Sequence, residues 1–374
     1  MSLRIAYCVL RVAYCVLRIP RCQGGSFDLR VLIIGAGAIG SFVGGKLALV
    51  GHKVTLVGRP AYVETVRTRG LRLTEGGETA IVQEITAVTP LAAAFASGQR
   101  YDLACLTVKS YDTATAADEL AMATDAPPPV LTLQNGVGNE EKLAERFGAT
   151  RVVSGVITSP VEVLEPGAVR VTRAGSIGLA PVQPKGSLAG ADVALREAGF
   201  RVTLYDDYRS LKWSKLLMNM VGNATCAILD WPPERVFADR RLCALELRAL
   251  REGLAVMRAQ RIRLVRVGSY PLPVLAPLLS RLPAVLLQPL LQHTVGGGRG
   301  GKMPSLHIDL SRGKGRSEVE VLNGAIARAG AEFGVQVPVN WALHRVLIGL
   351  TRGELAWDDF RGRPERLLAE VEPA

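Results

Sequence analysis

Most positions between Tyr208 and Leu229 are apolar, but Lys215, Asn219 and Asn223 recur there at every fourth residue. On a helix that spacing puts one ammonium and two carboxamides on one face. A plain solvated face would more often carry Glu, Lys, Gln or Ala, because Asn is a poor helix former and Gly222 costs about 1 kcal/mol against Ala. An ammonium in such a row can neutralise or protonate an oxygen that gains negative charge. A neutral amide can bind a hydroxyl or carboxylate without adding charge. On these residues alone a solvated face stays open as the alternative.

A second motif points to what would be bound. Arg30–Ile34 is a short β-branched run, followed by Gly35-Ala36-Gly37-Ala38-Ile39-Gly40 and an apolar stretch that breaks at Gly51. That reads as strand, glycine turn, helix, the context in which G-x-G-x-x-G binds a dinucleotide. Gly35 permits the tight turn, Gly37 lets a pyrophosphate approach the backbone, and Gly40 lets the helix lie close to the sheet. The next strand, Lys53–Val57, ends in Gly58-Arg59. An NAD site usually carries an acid there for the ribose 2′-hydroxyl, whereas a guanidinium can grip a 2′-phosphate. Arg59 therefore favours NADPH, with a surface Arg as the alternative.

Further strands are expected at Ala80–Val88, Tyr101–Val108 and Val130–Leu133. Lys109 follows the second and Asn135 the third. Ligands of open parallel sheets bind outside the carboxyl ends of strands, so both are candidates for the cofactor side of a cleft. Residues 151–205 read as the edge of the sheet, with antiparallel pairing. After Asp206-Asp207 the period becomes helical, with one helix expected over Tyr208–Leu229 and others over Leu242–Ala259 and Ala325–Phe333. Pro271–Leu291 holds five prolines. These and Arg281 argue against a membrane span and for a buried connector or short broken helices.

A length of 374 residues accommodates two domains. The net charge of +11 is carried by Arg and spread along the chain without a nucleic-acid-binding signature. An anionic cofactor and substrate account for it equally well. Six cysteines without a C-x-x-C pair indicate cytosolic usage. Four histidines without an H-x-x-x-H pair give no metal site. Residues 1–28 repeat Arg-(Ile/Val)-Ala-Tyr-Cys-Val-Leu twice and then degenerate. They read as an extension outside the fold, which is expected to begin near Leu29.

Taken together, these residues resemble the ketopantoate reductase (2-dehydropantoate 2-reductase) family from about Leu29 to about Leu350. The similarity rests on Gly35–Gly40, Thr107-Val-Lys109, Gln134-Asn135-Gly-Val-Gly138, Trp213-Ser-Lys215 with Asn219 and Asn223, and Pro304-Ser305 followed by Ser317-Glu318-Val-Glu-Val-Leu-Asn-Gly324. The resemblance implies an α/β fold: an N-terminal Rossmann-type dinucleotide-binding domain (29–207) followed by an all-helical C-terminal domain (208–366), with the active site between them. It implies that Lys215 is catalytic, that Glu318 helps hold the substrate, and that Asn219, Asn223 and Ser305 contact it. Gly35, Ala36, Gly37, Ala38, Ile39, Gly40, Arg59, Lys109 and Asn135 fall on the cofactor side.

The implied activity is NADPH-dependent reduction of ketopantoate to pantoate in pantothenate synthesis. A cytoplasmic enzyme is expected from the cysteine usage, and a homodimer is one candidate assembly that the sequence does not decide. Neither nucleic acid nor membrane is an expected partner. The Ser305–Glu318 stretch is one residue longer than is typical of the family, and Trp231-Pro-Pro233 stands where another Asn is common. Because these departures lie in the substrate half, a paralogous reductase of a different 2-oxo acid is the second reading. A noncatalytic NADPH sensor is the third.

Overall fold

The computed structural model describes residues 28–293 and 303–371. The seven-residue repeat, with Cys8, Cys15 and Cys22, and the run Gly296–Gly301 lie outside the described residues. The described strands are β1 (Arg30–Ile34), β2 (Lys53–Val57), β3 (Leu71–Glu75), β4 (Glu78–Val82), β5 (Thr86–Val88), β6 (Leu103–Leu106), β7 (Val130–Thr132), β8 (Val152–Ile157), β9 (Val161–Glu165), β10 (Ala168–Val171), β11 (Ile177–Pro181) and β12 (Val202–Leu204). Eight of them form one sheet in the order β12-β11-β8-β7-β6-β1-β2-β5. It is parallel except where β8 meets β11. Helices cover both faces of such a sheet, so its central strands are apolar throughout. Val31, Leu32 and Ile33 of β1 are fully buried, as is Ala104 of β6.

The other four strands form a small sheet, β4-β3-β10-β9, which packs on the outer side of the helix Ala38–Leu49. This corrects two expectations. The single strand over Ala80–Val88 is two strands in two sheets, because the chain turns tightly where the Ile85 amide donates to the Gln83 carbonyl (2.9 Å). The segment around Val169 leaves the main sheet for the small one. Val169 and Val171 there bury themselves in the same core as Phe42, Val43 and Leu47. β9 leaves with that segment, paired antiparallel to β10, while β8, β11 and β12 do extend the main sheet, β8 parallel to β7, β12 parallel to β11 and the β8–β11 pair antiparallel.

The helical half begins with Tyr208–Met220, capped by Asp207, whose carboxylate accepts from the Arg209 and Ser210 amides. The expected single helix to Leu229 is broken. Gly222 has a left-handed backbone (φ 68°), and its amide donates to the buried Glu246 carboxylate (2.6 Å), so a second helix starts at Asn223. Glycine adopts that conformation without strain. Asn223 thus belongs to a different helix from Lys215 and Asn219, and the three do not form one continuous stripe.

The long helix Arg240–Ala259 and the helices Asn323–Glu332 and Pro338–Arg352 complete a core in which Leu216, Phe237, Leu242, Ile326 and Val346 are buried. Each such side chain contributes about 1.5–3 kcal/mol. The proline-rich segment forms two short helices, Leu272–Arg281 and Ala284–Leu291, the second of the two expected forms, and its residues are mostly exposed or half-buried rather than those of a buried connector. Only Leu287 and Leu291 of the pair are buried. Among the described residues no helix is long and apolar enough to cross a membrane.

Candidate active site

The glycine turn leaves β1 and is shaped by what lies against it. Gly35 has φ 105°, and a Cβ there would sit 2.7 Å from the Val108 amide nitrogen. A Cβ on Gly40 would come within 2.3 Å of the Gly35 carbonyl oxygen and 2.6 Å of the Thr107 hydroxyl. That hydroxyl in turn donates to the Gly35 carbonyl (2.7 Å), locking the turn to the end of β6. Gly37 is the exception, since a Cβ there meets nothing within 4 Å. The turn is therefore crowded on the sheet side and open at Gly37. No side chain caps the helix Ala38–Leu49, whose first amides, at Ala38, Ile39 and Gly40, remain for an anion. These features fit a dinucleotide pyrophosphate. Arg59 is exposed at the N-terminus of the helix Pro60–Arg69, just past β2, and makes no ion pair with a described residue.

The two halves meet at the ends of β6 and β7. Past β7, the Asn135 carbonyl accepts from the Ser110 hydroxyl (2.8 Å) and the Asn139 amide group (3.0 Å). The Asn135 side-chain oxygen accepts from Asn219 Nδ2 (3.0 Å). That contact brings a strand end from the cofactor side to the helix Tyr208–Met220, one turn from the half-buried Lys215. Asn223 is buried and occupied at both ends. It donates to the Asn219 carbonyl (3.1 Å) and accepts from the Leu306 amide (3.2 Å). It thereby ties the helix Ser305–Ser311 to the site, with Ser305 exposed at its start.

Glu318 lies buried across the same junction, where its two oxygens take different partners. Lys109 Nζ donates to one (2.7 Å), and the Ser110 hydroxyl (3.3 Å) and amide (3.4 Å) approach the other. Lys109 also reaches Asp309 (2.8 Å), which Lys314 approaches from the far side (2.6 Å). Burial pulls the Lys109 ammonium down, but Glu318 and Asp309 outweigh it and hold its pKa above the ordinary lysine range. Burial would likewise raise Asp309, yet the two lysines keep it below the usual carboxylate range. Lys109 is thus a permanent cation between the halves. A cavity of about 410 Å³, lined by Ser110, Tyr111, Lys142, Ser317 and Glu318 among others, opens beside it.

Sequence reasoning passed over Ser110, Asp309, Gln134 and the pair Lys212–Glu140, all of which help build this junction. Lys212 carried a signal: it stands three residues before Lys215 and seven before Asn219, so helical periodicity puts it on their face. Among the described residues no group of three His, Cys, Asp or Glu side chains is placed to hold a metal.

A Rossmann sheet with an open glycine turn, joined at its strand ends to a helical unit bearing a lysine and amides, defines the two-domain nicotinamide-dependent oxidoreductases. Within that class the comparisons are specific. The family model described as "Ketopantoate reductase PanE/ApbA" matches residues 31–184, and its C-terminal counterpart matches 207–351. The 2-dehydropantoate 2-reductase of Pyrococcus horikoshii is 31% identical over 84% of this chain and 96% of its own. That of Archaeoglobus fulgidus is 33% identical over 87% and 97%. The crystal structure of a PanE/ApbA family ketopantoate reductase from Ralstonia eutropha is 31% identical, covers 87% of this chain and 99% of its own, and superposes with a TM-score of 0.73. The chain belongs to the ketopantoate reductase family.

Proposed function

We propose that this chain reduces the ketone of 2-dehydropantoate to the alcohol of pantoate with NADPH. Bound NADPH supplies the hydride. The Lys215 ammonium faces the ketone oxygen, neutralises the charge it gains and donates the proton that completes the alcohol, to be reprotonated from solvent. Asn219, Ser305 and the second N–H of the Asn223 amide bind the substrate's carboxylate end, and Glu318, held by Lys109, accepts from its hydroxyl. Asn135 orients the nicotinamide side of the cleft. The observation that carries this reading is the Asn135–Asn219 hydrogen bond, which sets a cofactor-side strand end one helical turn from Lys215. The purified protein should convert 2-dehydropantoate to pantoate in step with NADPH oxidation, one for one. Product analysis that finds NADPH consumed without pantoate would defeat it.

Arg59 is proposed to hold the 2′-phosphate. A charge-assisted hydrogen bond contributes about 1.5–3 kcal/mol, so Arg59→Ala should weaken NADPH binding by about ten- to a hundredfold and leave NADH nearly unchanged. Fluorescence titration with both cofactors checks this, and equal losses would give Arg59 another role.

The proposed organisation is an extension at 1–28, a cofactor domain at 29–207 and a substrate domain at 208–366. The division falls at the Asp207 cap of the helix Tyr208–Met220. A cytoplasmic location is proposed, in keeping with Cys105 and Cys243, which are buried as free thiols. A homodimer is proposed as the working assembly. Exposed Val274, Val285 and Leu286 on the two short helices favour it, and light scattering at the mass of a single chain would refute it.

A further inference from the structure

We infer that Lys212 is a positioning residue. Through its buried contacts to Gln134 and Glu140 it fixes the helix Tyr208–Met220 against the strand end that carries Asn135, and so sets where Lys215 stands. The inference rests on the reading of Lys215 given above. Lys212 and Glu140 are 3% and 1% exposed, and their charged ends are 3.1 Å apart. Lys212 Nζ also donates to the Gln134 carbonyl at 2.6 Å. Neither anchor is loose. Glu140 accepts from the Ser154 hydroxyl on β8 (2.8 Å). The Gln134 side chain donates to the Val108 carbonyl and to Thr113 (both 2.9 Å) and accepts from Thr132 (2.9 Å), which pins it to the ends of β6 and β7.

The helix is therefore stapled to the 134–135 loop at two points. Lys212 holds the Gln134 carbonyl, and Asn219 holds the Asn135 side chain. These residues are seven apart, two helical turns, and share a face. Lys215 lies between them, three residues from one and four from the other, on the same face. A shift of one turn's register or a small tilt would move its ammonium by an ångström or more. A buried ion pair is a poor way to gain stability alone, since well-packed apolar residues of similar volume often serve as well or better. What it supplies here is a fixed direction and distance between two rigid bodies.

The single variant Lys212→Met would strand the Glu140 charge in the core and could fail for that reason. The informative protein is therefore the double variant Lys212→Met with Glu140→Met, which removes both charges and keeps the volume. It is compared with wild type at a temperature where near-UV circular dichroism shows both folded. A misplacement of about 1 Å can cost about a hundredfold in rate, so kcat should fall by about ten- to a hundredfold while NADPH binding stays within threefold. The amides of residues 215–220 should exchange with solvent at least tenfold faster. A kcat within threefold of wild type, or unchanged exchange at those amides, overturns the inference. If the wild-type protein itself fails to reduce 2-dehydropantoate, it is the proposed function that falls, and the exchange rates still decide the role of Lys212.

Discussion

Lys215→Met is expected to lower kcat by about a hundred- to ten-thousandfold, the usual contribution of a positioned proton donor, with NADPH binding intact. Methionine keeps most of the lysine's volume and removes the charge, so the helix Tyr208–Met220 should keep its packing through Leu216, Leu217 and Met220. The cofactor turn lies on the other half of the molecule and is held by Thr107, so it should be indifferent to the change. Loss of an interaction made mainly in the transition state lowers kcat and kcat/KM together. Steady-state kinetics with cofactor fluorescence provide the check. A variant within threefold of the parent kcat would remove Lys215 from the chemistry. Suspicion would then move to Lys109, whose ammonium sits between the halves beside Glu318.

Glu318→Ala should act differently. Its carboxylate is proposed to accept from the substrate's hydroxyl, and hydrogen bonds to charged groups contribute about 1.5–3 kcal/mol. The main effect should be a rise in KM of about ten- to a hundredfold, with a smaller loss of kcat because the substrate is held less firmly. The same substitution removes one of the two carboxylates on Lys109 and the oxygen that the Ser110 amide approaches, while the Ser110 hydroxyl keeps the Asn135 carbonyl. Lys109 keeps Asp309, so the junction should weaken without coming apart. A variant whose KM is unchanged while its melting temperature drops would make Glu318 a fastener between the halves and nothing more.

How much was legible in the sequence depended on the range of the interactions involved. The glycine turn reads directly because its demands are local: a left-handed Gly35, and a Gly40 with no room for a side chain. The apolar parallel strands read well for the same reason. The strand at Ala80–Val88 misled because its split depends on a turn at Gln83–Ile85 that no propensity announces. The helix Tyr208–Leu229 misled because the signal for its break, Gly222, was weighed as a cost inside a helix. In fact the backbone there turns left-handed to meet Glu246, a partner far along the chain.

The candidate site divides in the same way. Lys215 and Asn219 stood out by spacing alone. The partners of Lys109, the double occupation of Asn223 and the pairing of Lys212 with Glu140 join residues brought near only by folding. A single chain carries no periodicity for them.

The most direct test of the central claim is a comparison of kcat/KM for NADPH-dependent reduction of 2-dehydropantoate with a panel of other 2-oxo acids, using the purified full-length chain. The account predicts that 2-dehydropantoate is preferred over every other acid in the panel by at least tenfold. A different 2-oxo acid turned over more efficiently, or no turnover of 2-dehydropantoate at all, would contradict it.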